Sequence, residues 1–178
     1  MPKPVQPPIR RLAILGGEST GKSTLAEMLA ETLNTVHVEE YGRTIWQQRG
    51  GAFRFTDMLH IAQSQLQLER DLMDSARDWL ICDTTPLSTL FYSQELFGKV
   101  DPLLRNLAET RYDFYLLCAD DFAFVQDGTR QDAAFRAMQN RWYERHLQRR
   151  HCLWQWVEGS VRARLEQALE LISALHSV

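Results

Sequence analysis

Short apolar runs alternate along this chain with longer stretches in which apolar residues recur every three or four positions. That alternation predicts βαβ units, with a parallel sheet buried on both faces by helices. Residues 12–15 form a first strand that runs into Gly16 and Gly17, and residues 22–33 form a helix with Leu25, Leu29 and Leu33 on one face. A second strand over 36–38 ends at Glu39 and Glu40, and the spacing predicts a helix over 57–77 with Thr56 as its N-cap. Strand 79–82 stops at Asp83, and a helix over 87–97 follows Pro86, whose fixed φ suits a first turn. Residues 114–118 form a further strand, followed by a polar stretch over 120–132, a helix over 133–148, a last strand over 153–157 and a helix capped by Ser160.

Pro2, Pro4, Pro7 and Pro8 predict an extended tail over residues 1–9, with one domain filling 10–178. Twenty basic against 23 acidic residues give a net charge of -3, which offers no bulk basic footprint for nucleic acid or acidic lipid. Cys82, Cys118 and Cys152 lie outside any metal-ligand spacing, and the first two, at the ends of apolar runs, read as reduced core thiols. Neither a signal peptide nor a run of apolar residues long enough to span a membrane is present, so the cytoplasm is the expected compartment.

The segment Gly16-Gly17-Glu18-Ser19-Thr20-Gly21-Lys22-Ser23 satisfies G-x-x-x-x-G-K-[ST] between a predicted strand and a predicted helix. Glycines let such a loop wrap a polyphosphate, with backbone N–H groups and the helix N-terminus facing the anionic oxygens. Lys22 is expected at the β- and γ-phosphates of ATP and Ser23 on Mg²⁺. Asp83 shares that edge of the sheet and is a candidate for holding Mg²⁺ or for accepting a hydroxyl proton; the alternative is a helix N-cap. Asp120 and Asp121 are rivals for the metal, and Glu40 occupies the same rim or is simply a solvated strand-end acid. Arg130, Arg136 and Arg141, around Asp127 and Gly128, suggest a lid over about 120–141 that closes on the γ-phosphate; a solvated helix face is the alternative. Trp142, Tyr143, Trp154 and Trp156 read as core aromatics.

Taken with Glu40-Tyr41-Gly42-Arg43, Ile61-Ala62-Gln63-Ser64-Gln65, Cys82-Asp83-Thr84, the run from Tyr112 to Leu117 and Asp127-Gly128-Thr129-Arg130, this loop resembles the nicotinamide riboside kinases, the P-loop kinase domain found alone or fused in NadR-type regulators of NAD biosynthesis. The resemblance implies the fold of the nucleoside and nucleotide kinases: a five-stranded parallel sheet, helices on both faces and an arginine-bearing lid. It also implies transfer of the ATP γ-phosphate to the 5′-hydroxyl of nicotinamide riboside, with Mg²⁺. Residues 16 to 24, Thr24 included, then bind nucleotide and Mg²⁺, Asp83 and Glu40 flank the acceptor hydroxyl, and Arg43, Asp127 and Arg130 order the substrate and lid. Together with the residues' own chemistry this makes Lys22, Asp83, Glu40 and Arg130 the expected catalytic residues, Glu40, Tyr41, Arg43, Asp83, Asp127 and Arg130 the expected substrate contacts, and Arg136 of the lid a further expected contact to the ATP phosphates. The chain lacks room for the adenylyltransferase and DNA-binding segments of the fused proteins, so a kinase alone is expected. Where some members place two aromatics that sandwich the pyridinium ring, this sequence has Glu39 and Leu66, leaving Tyr41, Trp46 or Tyr92 to stack instead. Another nucleoside or sugar as acceptor, or a nucleotide-dependent switch that phosphorylates nothing, are the alternative functions.

Overall fold

A computed structural model describes residues 8–121 and 133–176. Five strands, β1 (Arg10–Gly16), β2 (His37–Val38), β3 (Trp79–Asp83), β4 (Phe114–Cys118) and β5 (Trp154–Val157), form one sheet in the order β2-β3-β1-β4-β5. Every adjacent pair is parallel. Among the described residues seven helices connect or follow them: α1 (Lys22–Thr32), α2 (Tyr41–Gln48), α3 (Phe55–Met73), α4 (Pro86–Phe97), α5 (Pro102–Leu107), α6 (Ala133–Arg149) and α7 (Val161–His176).

The two-residue period of a strand sorts its side chains between two cores. Ala13 and Leu15 of β1, Leu80 and Cys82 of β3 and Tyr115 and Leu117 of β4 face one side, packing with Leu90 and Phe91 of α4 and Tyr143 and Leu147 of α6. Leu12 and Ile14, Trp79 and Ile81, and Phe114 and Leu116 face the other, against Leu25 and Leu29 of α1 and Ala168 and Ile172 of α7. Burial on both faces is why these strands read as unbroken apolar runs. A third, smaller cluster, Ile45, Met58, Ile61, Ala62 and Leu104, joins α2, α3 and α5 beside the sheet.

Several local expectations shift. The helix α3 starts at Phe55 and ends at Met73, and its N-cap is Arg54, not Thr56: Asp57, in the first turn, accepts the Arg54 backbone N–H at 2.8 Å. Thr85, not Asp83, caps α4, its hydroxyl accepting from Leu87 N at 3.1 Å with Pro86 behind it. The Ser160 cap is present, its Oγ accepting from Ala163 N at 3.2 Å. Helices α2 and α5 were not expected. Cys82 and Cys118 are buried free thiols, and Trp142 and Tyr143 are buried, whereas Trp154 and Trp156 on the edge strand β5 are half-buried.

Candidate active site

The order of the sheet places the C-terminal end of β1 between those of β3 and β4, so the loop over residues 16–23 emerges in the middle of the carboxyl edge. The loop is tightly wound: Gly21 has φ 76 and Ser19 φ 59. At Gly16, φ is 151, and a Cβ would lie 2.7 Å from Thr20 Oγ1 and 3.0 Å from Cys118 Cβ. Glycine is required there on both counts. Thr20 Oγ1 donates to Gly17 O at 2.8 Å, and Lys22 Nζ donates to the same carbonyl at 3.0 Å. The lysine is thereby held over the loop at whose rim it would meet phosphate. Thr24 is exposed on the first turn of α1.

Two residues absent from the sequence reading hold this loop from behind. Asn140 of α6 is buried, accepts Gly17 N–H at 2.7 Å and donates to Cys118 O at 3.2 Å. Arg164 of α7 is fully buried and donates to Thr20 O at 2.7 Å, Gly159 O at 2.9 Å and Ala119 O at 3.0 Å. Arg164 also pairs with Asp121, which in addition accepts Gly159 N–H. Asp121 therefore braces the loop and is not a metal ligand in waiting. Of the arginines expected in a lid, Arg136 on α6 is buried against Gly17, where a Cβ would meet its Cγ at 2.6 Å. Arg141 is exposed on the same helix, and Asp127 and Arg130 lie outside the described residues, as does half of the expected lid.

Asp83 ends β3 beside Ile14, and Thr84 N donates to Ile14 O at 3.0 Å as the chain turns. The turn puts Thr84 at φ 69, a conformation that is an outlier for a β-branched residue and that aims the chain into the site. Asp83 is 2% exposed, is hydrogen-bonded to the Ser23 side chain and keeps Oδ1 without a hydrogen-bond partner among the described residues. A buried carboxylate oxygen with a serine hydroxyl alongside suits a hard divalent cation, so these two residues fit Mg²⁺. Glu40, the N-cap of α2, sits near Asp83 and pairs with Arg43 at 3.7 Å. Burial raises the pKa of both carboxyls. The charge of Asp83 raises Glu40 further, while Lys22 draws both back down.

In front of them opens a cleft of about 510 Å³ walled by Trp46, Phe53, Tyr92 and Phe97, with Glu18, Lys22, Glu40 and Arg43 at its rim. Trp46 and Phe53 meet edge to face with centroids 4.9 Å apart. Tyr92 OH donates to Glu18 at 2.9 Å, linking the phosphate loop to this wall. Of the alternatives for stacking, Tyr41, Trp46 or Tyr92, the last two line this cleft. Tyr41 does not: its hydroxyl lies 3.2 Å from His60 Nε2 on the outside of α3. Glu39 is exposed, and Leu66 faces a groove with Leu103 and Leu107, so neither lines the cleft. Phe53 and Phe97 had no signal in the sequence beyond being aromatic.

A family model described as an AAA domain, AAA_28, matches residues 11–164. The chain belongs to this family. It is similar to the trifunctional NAD biosynthesis/regulator protein NadR of Escherichia coli K12, with 34% identity over 127 residues, 68% of this chain. The NadR of Salmonella typhimurium LT2 matches to the same extent. The chain spans about a third of the length of these curated relatives, 31%. Among solved structures it is similar to NadR in complex with NR, with a TM-score of 0.77 and 20% identity over 96% of this chain and 52% of that one. Thymidylate kinase from Ehrlichia chaffeensis follows at a TM-score of 0.67 and 13% identity, covering 93% of this chain and 100% of its own. The expected fold, a five-stranded parallel P-loop architecture of the nucleoside and nucleotide kinase type, is therefore the fold observed. Among the described residues, no helix is long and apolar enough to cross a membrane.

Proposed function

We propose that this protein is an ATP- and Mg²⁺-dependent kinase that phosphorylates the 5′-hydroxyl of a nucleoside, with nicotinamide riboside as the acceptor and nicotinamide mononucleotide as the product. The observation that carries this reading is the placing of Lys22 and the phosphate loop against Asp83 and Glu40 at the mouth of an aromatic-walled cleft. A nucleotide switch has no use for such a cleft beside its phosphates, whereas an acceptor alcohol needs one. The similarity to NadR directs the choice of nucleoside.

In this mechanism Lys22 and the loop N–H groups hold the ATP phosphates and spread the charge of the transferring phosphoryl group. Ser23 and Asp83 would hold Mg²⁺, which supplies neutralisation of the phosphate oxygens. Glu40, facing the cleft, accepts the proton of the acceptor hydroxyl as its oxygen bonds to the γ-phosphorus and the bond to ADP breaks. Arg43 orients Glu40, and Trp46 and Tyr92 exclude water from the ring side of the acceptor.

The test is ADP release with Mg·ATP, with and without nicotinamide riboside, beside a panel of ribonucleosides and deoxynucleosides, for wild type and Lys22→Ala. Stimulation by nicotinamide riboside, abolished in a folded Lys22→Ala protein, is expected. Stimulation only by another nucleoside would refute the acceptor, and slow hydrolysis indifferent to every acceptor would refute the kinase.

A further inference from the structure

Behind the cleft, sharing Glu40, Gly42, Phe53 and Tyr92 with it, lies a recess of about 30 Å³. That volume admits a water-sized group and no ring. Its walls include Met58 and Ile61 on the apolar side and Gln65, Thr84 and Thr89 on the polar side.

Gln65 is 2% exposed, and its orientation is fixed by chemistry. The backbone N–H of Tyr41 can only donate, and it does so to Gln65 Oε1 at 3.0 Å. The amide nitrogen must therefore point the other way. Gln65 Nε2 is buried and has no hydrogen-bond partner among the described residues. A buried amide donor without a partner is rare, because it keeps the full desolvation cost of a group that water would otherwise satisfy. Trp46 Nε1, in the wall of the adjoining cleft, is a second buried donor without a partner. Among the described residues, the acceptor side of the site thus leaves two N–H donors without acceptors.

We propose that the recess is a specificity subsite for a small hydrogen-bond acceptor carried on the ring of the substrate, a carbonyl oxygen, with Gln65 Nε2 as its donor. The ring lies in the aromatic cleft, its carbonyl enters past Phe53 and Tyr92, and the ribose hydroxyl is left beside Glu40 and Asp83. The size of the recess restricts the substituent to one small group. Glu40 in the recess wall disfavours a carboxylate there and favours a neutral amide or lactam carbonyl. This deepens the kinase reading and rests on it.

The experiment measures kcat/KM, and separately binding in the presence of AMP-PNP by calorimetry, for nicotinamide riboside and for pyridinium riboside, which lacks the carboxamide. Wild type should prefer the carboxamide by about tenfold or more, a margin in keeping with one buried hydrogen bond. Gln65→Met, close in shape but without the donor, should bring that ratio near one, with the change in KM and not in kcat. Because Gln65→Met also orphans Tyr41 N–H, Gln65→Glu serves as a second variant: it keeps an oxygen for Tyr41 and, once ionised, has no donor, so read at alkaline pH it should lose the preference too. A ratio unchanged in both variants would overturn the subsite. If wild type does not turn over nicotinamide riboside, the choice of acceptor fails on its own, and the same ratio is read on uridine against its analogue lacking the carbonyl next to the glycosidic nitrogen. Failure of wild type to bind any carbonyl-bearing nucleoside would overturn the subsite and the kinase reading together.

Discussion

Replacing Asn140 by leucine, its near neighbour in shape, removes two bonds that fasten the phosphate loop to α6 and leaves Gly17 N–H and Cys118 O facing an apolar side chain. Asn140 is 3% exposed, so water cannot easily take over. An unsatisfied buried polar group costs about 1–3 kcal/mol, so the loss of both partners comes to about 2–5 kcal/mol once partial relaxation is allowed. For a protein of this size each kcal/mol lowers Tm by about 2–4 °C, which predicts a fall of about 4–20 °C. The same loosening frees the loop before nucleotide arrives, so Mg·ATP has to order it. Differential scanning calorimetry with and without Mg·AMP-PNP reads both effects: a lower Tm for the apo protein, and a ligand-induced rise that is smaller than that of wild type at equal ligand concentration. A variant that melts within about 2 °C of wild type and binds nucleotide equally well would refute the view that Asn140 braces the loop.

Two further predictions concern protons. Burial works against ionisation of Asp57, but the bonds from Arg49 at 2.7 Å and Arg54 N at 2.8 Å outweigh it and hold the carboxyl below its ordinary 3.8. Its stabilisation is therefore complete above that value and lost as pH falls through the lower folded value; Tm measured from pH 7 to pH 3 should drop less steeply at the acid end in Asp57→Asn, and parallel curves would refute the assignment. The raised carboxyls of Glu40 and Asp83 predict that kcat/KM rises with pH along a limb lying above their ordinary 4.5 and 3.8, since the base must be ionised to act. A rate independent of pH down to 4 would contradict it.

What could be read from the sequence, and what could not, follows from where each signal resides. Strands buried on both faces announce themselves as apolar runs, and the phosphate loop as a fixed spacing of glycines, lysine and serine. The helix α2 is amphipathic, with Tyr41 and Ile45 one turn apart on its inner face, but at eight residues it spans barely two turns, too few for a period to be read from the sequence. Six-residue α5 is too short for a period, although Asp101 and Pro102 form a cap that could have been noticed. Arg164 left a trace: it stands in the stripe with Ala168 and Ile172, where a charge on the buried face of α7 calls for partners. Gln65 stood in the sequence only as the end of the Ile61–Gln65 landmark, with no role attached, and Asn140 left no trace, because an amide in a helix acquires its role only from what tertiary packing sets opposite it.

The two halves of the site are built from the chain in different ways. The phosphate side draws on β1, the start of α1, α6 and α7, segments more than a hundred residues apart, so a change in any one is felt through the others. Much of the wall of the cleft and its recess, from Trp46 through Phe53 to Gln65, comes instead from α2, α3 and the loop between them, one continuous stretch that packs into a small core beside the sheet. A lineage or an engineer can therefore exchange residues 41–65 as a cassette, trading one acceptor for another, while β3, with Asp83 at its end, and the rest of the machinery that grips the donor keep their geometry.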